Sequence, residues 1–131
     1  MKSTILTASF VLASALSATT LAAQDADIGA GLYADYCAAC HGATGKGDGD
    51  MANVMTIPSP DLTMLASNNG GVFPMLQVIH IIDGRTGVRA HGGAMPVFGR
   101  SFAGDGNGYG GVLESRGRIL SLAMYLESIQ R

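Results

Sequence analysis

Two cysteines and a histidine lie within five consecutive residues of this 131-residue chain, and their spacing suggests a specific chemistry. Cys37 and Cys40 are the only cysteines, and His41 directly follows the second of them. Two thiols three positions apart on a helical turn face one side, so both can add to the vinyl groups at one edge of a porphyrin. The imidazole of His41 then projects onto the iron. The C-x-x-C-H spacing therefore predicts one covalently attached haem c, with His41 as an axial ligand.

Two other kinds of site could use the same pair of cysteines. A thioredoxin-like dithiol would lie near a β-α-β pattern, and the sequence contains none. A zinc ion would need further ligands at paired spacing, and only His80 and His91 remain. Haem attachment is favoured because it also accounts for His41 and for the many glycine-rich loops.

Met95 is the predicted second axial ligand of the iron. Fast electron transfer requires both axial positions to stay filled, and a methionine there raises the reduction potential. Met95 lies in the loop GGAMPVFG, residues 92–99, where small neighbours allow a close backbone approach and Pro96 stiffens the chain. The other methionines within the domain fall in or near apolar segments, where packing explains them.

Two histidines are alternative ligands. His80 lies within an apolar segment, where a packed histidine is the ordinary case, and His91 lies four residues before Met95. Either of them in place of Met95 would give a bis-histidine haem with a lower potential.

Helical periodicity predicts three main helices. They are expected over residues 27–40, over residues 72–82 with Pro74 in the first turn, and over about residues 113–130. The apolar face of the last helix is predicted to contain Leu113, Ile119, Leu122, Ala123, Leu126 and Ile129.

Glycine and proline interrupt the chain between these helices. Residues 42–50 and 84–111 are predicted to be loops, and the Asp83-Gly84 pair is expected to end the second helix. Residues 51–65 are expected to be extended in the middle, with a short helix starting near Leu62. Because no strand alternation is visible, the predicted class is all-α.

Residues 1–23 are predicted to be a cleaved signal peptide. Lys2 supplies a positive start, residues 4–23 carry no charge, and small residues precede the expected cut after Ala23. A membrane anchor is disfavoured because the segment is rich in serine, threonine and alanine. The expected product is one exported domain, residues 24–131, in the periplasm.

The charge of that domain excludes a common class of partner. Without Lys2, seven basic and ten acidic residues remain, a formal net charge of about −3. Nucleic-acid binding requires a basic face, so no nucleic acid is expected as a partner. No second apolar run is long enough to span a membrane.

The sequence resembles the class I c-type cytochromes, of the bacterial monohaem kind. The resemblance rests on CAACHG at residues 37–42, followed by a glycine-rich loop, and on AMPVFG at residues 94–99, followed by an apolar helix. It extends over essentially all of residues 24–131. It implies an all-α cytochrome c fold, with three to five helices and long glycine-rich loops wrapped around one haem.

The resemblance also assigns finer positions. Gly29 and Tyr33 correspond to the positions where the first helix crosses the last, and Leu122 and Tyr125 correspond to the partner positions there. A glycine at such a crossing lets two helix backbones approach closely.

A proline carbonyl accepts the N–H of the proximal imidazole in this family. The segment Ser59-Pro60-Asp61-Leu62 resembles the family's proline-containing segment, so Pro60 is the predicted acceptor and Pro58 the alternative. Such a bond orients the ring and raises its basicity. Leu62 is then expected to press on the haem.

Some features depart from the compact bacterial members or are not assigned by the family pattern. The tract GDGNGYGG at residues 104–111 lengthens a connection and is predicted to be a solvent loop. It resembles the start of a calcium loop, but Arg116 stands where the last ligand should be. Arg85, Arg89 and Arg100 could pair with haem propionates, bind a redox partner or be ordinary surface charges.

The function implied is electron transfer, without catalysis on a substrate. The expected partners are a dehydrogenase or membrane respiratory complex and an oxidase or reductase, with the protein itself a monomer. One alternative is a dedicated cytochrome subunit of a periplasmic oxidoreductase. Another is a ligand-binding or sensing haem protein, or a small peroxidase, in which Met95 is absent from the iron or labile.

Overall fold

The structure is a computed structural model that describes residues 27–86, 95–104 and 108–131. Within these ranges the chain is helical and contains no β-strand, as the predicted all-α class requires. Some sequence predictions lie outside the described residues: the signal peptide at residues 1–23, His91, Arg89 and residues 105–107 of the GDGNGYGG tract.

Five α-helices and three short 3-10 helices form the described part of the chain. The α-helices are α1 at residues 27–36, α2 at Ala38–His41, α3 at Met75–Asp83, α4 at Phe98–Ser101 and α5 at Tyr109–Ser128. The 3-10 helices are Asp50–Val54, Leu62–Met64 and Ser67–Asn69.

The first predicted helix is present, with one local break. A turn at Cys37 separates α1 from α2, but helical bonds continue through it, from the Cys37 N–H to the Tyr33 carbonyl at 2.9 Å and from the His41 N–H to the Cys37 carbonyl at 2.9 Å. Gly42 ends α2 with φ of 80°, a conformation in which glycine is favoured.

Helix α3 begins three residues later than predicted. Pro74 precedes the helix instead of lying within its first turn, because a proline restricts Phe73 before it to extended conformations. The predicted stop at Asp83-Gly84 is confirmed, since Gly84 adopts the left-handed conformation with φ of 83°.

Helix α5 begins four residues earlier than predicted, so the loop predicted for residues 84–111 is wrong in two places. Residues 98–101 form α4, and residues 109–111 form the first turn of α5. Glycine has a low helix propensity, which obscured this turn, but Gly111 is buried and packing overrides propensity.

The predicted apolar face of α5 is correct except at its start. Leu113 is 68% exposed, because the buried side of the helix passes through Gly111 and Ser115 instead. From Ile119 onward the predicted residues are buried, with Ile129 half-buried.

Helix α1 crosses α5 at the glycine that the resemblance indicates. A Cβ at Gly29 would overlap the backbone carbonyl of Ser121, so only glycine permits the observed approach. The rings of Tyr33 and Tyr125 meet beside it, with centroids 5.3 Å apart, and Leu122 is fully buried. Helices α3 and α4 pack on the other parts of α5.

Candidate functional site

A cavity of about 430 Å³ opens between the helices and the chain that follows α2. Cofactor pockets span roughly 300–1,000 Å³, and they are mainly apolar with a few placed polar groups. All six predicted site residues line this cavity: Cys37, Cys40, His41, Pro60, Leu62 and Met95. Residues separated by up to 58 positions in sequence are therefore brought to one site.

Helix α2 presents the two cysteines to this cavity. Cys37 is buried and Cys40 half-buried, and both are free thiols. Burial, with a further contribution from Cys40, raises the pKa of the Cys37 thiol to about 11. Dithiol exchange depends on a thiolate with a lowered pKa, so this environment opposes a thioredoxin-like role.

The zinc alternative also lacks support. Within residues 27–86, 95–104 and 108–131, no group of three or more histidine, cysteine, aspartate or glutamate side chains could hold a metal ion. A structural zinc site requires four such ligands.

His41 ends α2 with its ring buried in the cavity wall. Its Nδ1 lies 3.5 Å from the carbonyl oxygen of Pro60, at the long limit of a hydrogen bond. Pro58 lines the cavity as well, but the carbonyl that faces Nδ1 belongs to Pro60. A proton on Nδ1 leaves the lone pair of Nε2 as the available metal ligand.

The electrostatic environment of His41 favours the neutral ring. Burial lowers the pKa of His41, and the Pro60 carbonyl opposes this effect only in part. Because metals bind the neutral imidazole, the surroundings hold His41 in its ligating form at neutral pH.

Met95 lines the cavity directly before α4. Its side chain is half-buried and packs against the core. Helix α4 anchors this segment, because Phe98 stacks on Phe102 with ring centroids 5.2 Å apart and the Ser115 hydroxyl donates to the Gly99 carbonyl at 2.6 Å. The sulfur that the sequence predicts as a ligand is therefore carried by a segment fixed to α5.

The alternative ligand His80 does not line the cavity. It lies half-buried on α3, whereas Val78, Ile81 and Ile82 of the same helix form part of the cavity wall. The i, i+4 spacing of Val78 and Ile82 is a helical signal that sequence reasoning could have used to place this wall.

Other lining residues carried no comparable sequence signal. Met55 and Ile57 lie in the extended stretch after the first 3-10 helix, and Tyr36 lies at the end of α1. The Tyr36 ring meets the Phe102 ring edge-on, with centroids 5.1 Å apart. The place of Met55 and Ile57 in the wall depends on the path of a loop, which no periodic pattern records, whereas Tyr36 belongs to a helix that periodicity predicts.

Of the arginines near Met95, the structure describes Arg85 and Arg100, and both lie beside a different cleft. Arg85 pairs with Asp83, and together with Arg100 and Arg116 it lines a separate cleft between α3, α4 and α5. Neither Arg85 nor Arg100 lines the large cavity, so their contacts do not support a role in holding haem propionates.

The residues of the cavity fit a covalently attached haem. Apolar walls suit the porphyrin faces, two thiols lie close together at α2, and a buried imidazole and a soft thioether sulfur are donors that iron accepts. Separately, no helix in the described residues is long and apolar enough to cross a membrane.

Comparison with known proteins agrees with this fit. The cytochrome c family model matches residues 26–106, more than half of the chain. No curated protein and no solved structure matches this chain. The matched residues include the C-x-x-C-H motif, Pro60 and Met95. The chain therefore belongs to the cytochrome c family, with its all-α cytochrome c fold and its covalently bound haem c.

Proposed function

We propose that this chain is a class I, monohaem cytochrome c that carries single electrons between redox partners in the periplasm. The observation that carries the proposal is that one apolar cavity is lined by two cysteines, a buried imidazole and the thioether of Met95, from distant parts of the sequence. Family membership supports haem-based electron transfer as the general activity.

Each of these residues has a role in the proposal. Cys37 and Cys40 would form thioether bonds to the haem, and His41 and Met95 would be the axial ligands. When bound, the haem supplies a one-electron couple at its iron. Pro60 orients the imidazole through its carbonyl, and Leu62 packs in the wall beside it.

The chain itself controls the energetics of the transfer. The mostly apolar wall excludes water and lowers the local dielectric constant, which limits the reorganisation that accompanies a change of charge. A thioether as the second ligand favours the reduced state and raises the potential. No substrate bond is made or broken, so the residues serve as ligands, wall and support.

The proposed location rests on the sequence of the first 23 residues. Their positive start, uncharged stretch and small final residues are typical of a secretory signal, which leaves residues 24–131 as the exported domain. The proposed partners are a dehydrogenase or membrane respiratory complex on one side and an oxidase or reductase on the other, with the protein acting as a monomer.

The test is to produce the full chain in cells that attach haem c and to fractionate them. We expect the periplasmic fraction to contain a chain shortened to residues 24–131 with the mass of one covalent haem. Electrochemical titration should give a single one-electron wave. A cytoplasmic chain, or a chain with no covalent haem, would contradict the proposal.

Two further results would redirect the assignment. Stable co-purification with a catalytic chain would indicate a dedicated subunit. Rapid binding of carbon monoxide by the reduced protein at neutral pH would indicate a ligand-binding or sensing haem, because an iron with two firm axial ligands leaves no open position.

A further inference from the structure

The side chain of Gln130 joins α5 to the segment that follows Pro60. Its Nε2 donates to the Leu62 carbonyl at 2.8 Å and to the Leu126 carbonyl at 2.6 Å. Its Oε1 accepts the N–H of Ala66 at 2.8 Å. The side chain is half-buried, so these three bonds lie partly away from solvent, where loss of a partner is costly.

The neighbouring residue binds the same segment from the solvent side. The Arg131 N–H donates to the Thr63 carbonyl at 3.1 Å, and its Nε donates to Thr63 Oγ1 at 2.6 Å. Its Nη2 donates to Asp61 Oδ2 at 2.8 Å. Because the Arg131 side chain is exposed, this ion pair contributes little, and Gln130 provides the stronger attachment.

Leu62 is also held from the opposite side. Its N–H donates to the Gly45 carbonyl at 2.7 Å, in the loop that follows α2. The Gly47 N–H in the same loop donates to the His41 carbonyl at 2.8 Å. Both backbone polar groups of Leu62 are therefore fixed, the N–H by the loop next to His41 and the carbonyl by Gln130.

Pro60 lies only two residues before this fixed point. Its carbonyl is 3.5 Å from His41 Nδ1, at the long limit of a hydrogen bond, so a small displacement of the segment would break the contact. We propose that Gln130 is a positioning residue, which keeps the Pro60 carbonyl against the imidazole of His41.

This inference rests on the proposed function, in which His41 is an iron ligand. A hydrogen bond from Nδ1 to a carbonyl makes the ring more basic and fixes its orientation. A more basic ligand stabilises the oxidised iron. Loss of the Gln130 bonds therefore weakens the Pro60 contact and raises the reduction potential.

The test uses the mature holoprotein with Gln130→Met, which has a similar length but no amide. The proton on His41 Nδ1 is followed by NMR in the reduced protein, together with the reduction potential. We expect its exchange with solvent to become about tenfold faster. The ratio of reduced to oxidised protein at a fixed electrode potential should rise.

The matched control is Ile119→Val, which removes a buried methyl group from α5 outside the cavity wall. It should lower the midpoint of unfolding without changing the proton exchange or the potential. If Gln130→Met behaves in the same way, Gln130 serves stability alone and the proposal is overturned.

A second variant keeps the proposal testable if Gln130→Met does not yield folded holoprotein. Gln130→Glu keeps an acceptor for the Ala66 N–H and loses both donors, so it should also accelerate the exchange of the Nδ1 proton. An unchanged rate there would overturn the proposal. Failure of the proposed function would appear in the unmodified protein. If His41 is not an iron ligand, its NMR signals in the oxidised protein will lack the shift that a bound ferric iron causes.

Discussion

Tyr33 buries a phenol hydroxyl beside the loop that follows His41. Its O–H donates to the Gly42 carbonyl at 2.6 Å, and the side chain is 2% exposed. Burial raises the pKa of Tyr33 to about 12, with smaller contributions in the same direction from neighbouring groups that include Cys37. The folded state therefore favours the neutral phenol more strongly than the unfolded chain does.

This environment predicts a defined loss of stability at alkaline pH. The contribution of Tyr33 is fully present below pH 10, the pKa of the unfolded side chain, and is lost as the pH rises toward 12. Tyr33→Phe should cost about 1–3 kcal/mol at pH 7, because the Gly42 carbonyl loses its donor. Tyr33→Phe should also reduce the fall of the unfolding free energy with pH between pH 10 and 12.

Urea unfolding at several pH values measures both effects. Tyr109→Phe is the control. Because Tyr109 is 91% exposed, loss of its hydroxyl group should leave the pH dependence of the unfolding free energy unchanged. If the unfolding free energy falls equally with pH in the unmodified protein and in Tyr33→Phe, this account of Tyr33 is contradicted.

At the residue scale, the sequence partly predicted which side chains line the cavity. The pair Cys37 and Cys40, with His41, follows from spacing alone, and Met95 was chosen from its small neighbours and Pro96. The sequence could not place Met55 in the cavity wall, because its contribution depends on how a loop without regular structure is folded.

The crossing of α1 and α5 depends on the absence of a side chain at Gly29. A Cβ there would overlap the Ser121 carbonyl, whereas a Cβ at Gly31 on the same helix meets nothing within 4 Å. Gly29→Ala should therefore lower the free energy of unfolding by about 1–3 kcal/mol or more through overpacking.

Gly31→Ala provides the matched control for this prediction. It should raise the free energy of unfolding by about 0.5–1 kcal/mol, since alanine favours a helix more than glycine does. Thermal or urea unfolding of both variants measures the difference. Equal effects of the two substitutions would show that the helix crossing does not require Gly29.

The attachment of α4 to α5 predicts how firmly Met95 is held. Ser115→Ala removes the bond to the Gly99 carbonyl and should cost about 1 kcal/mol. In the oxidised holoprotein, added imidazole should then displace Met95 at lower concentration than in the unmodified protein. Ser101→Ala on exposed α4 surface is the control, and similar imidazole titrations for both variants would contradict this coupling.

At the scale of elements, long periodic helices were predictable and short ones were not. Helix α5 was located by the spacing of Ile119, Leu122 and Leu126, but its first turn was hidden by glycines. Helix α4 has four residues, too few to show a periodic pattern, and the 3-10 helix Asp50–Val54 begins at the end of the predicted loop, in a stretch where no helix was predicted before Leu62. Packing against the rest of the protein determines the conformation of these segments, and no sequence pattern shows that packing.

The whole molecule is small and encloses a large apolar cavity. A predicted domain of about 108 residues, counted from residue 24, buries a limited core, and the 430 Å³ cavity interrupts that core. The cofactor would supply the missing apolar contacts, so folding and haem attachment are expected to be coupled.

Removal of the attachment sites tests this coupling. A Cys37→Ala and Cys40→Ala double variant should lose most of its helical circular dichroism at 222 nm when it is purified without haem. The single variants retain one possible thioether bond. Their circular dichroism at 222 nm should lie between that of the unmodified holoprotein and that of the double variant. A fully helical, cooperatively unfolding double variant would show that the chain folds independently of its cofactor.

The fold class and the cofactor were predictable at this scale, but the shape of the site was not. The absence of strand alternation and the C-x-x-C-H motif indicated an all-α haem protein. The position of α3, whose Val78, Ile81 and Ile82 complete the wall, depends on contacts with α4 and α5 that are distant in sequence.

The most direct test of the central claim is the absorption spectrum of the oxidised protein in the near-red region. Iron bound to a methionine sulfur gives a weak band there. The unmodified protein and Met124→Ala, whose half-buried side chain does not line the cavity, should both show it, and Met95→Ala should not. A band that persists in Met95→Ala, or is absent from the unmodified protein, would contradict an electron carrier ligated by His41 and Met95.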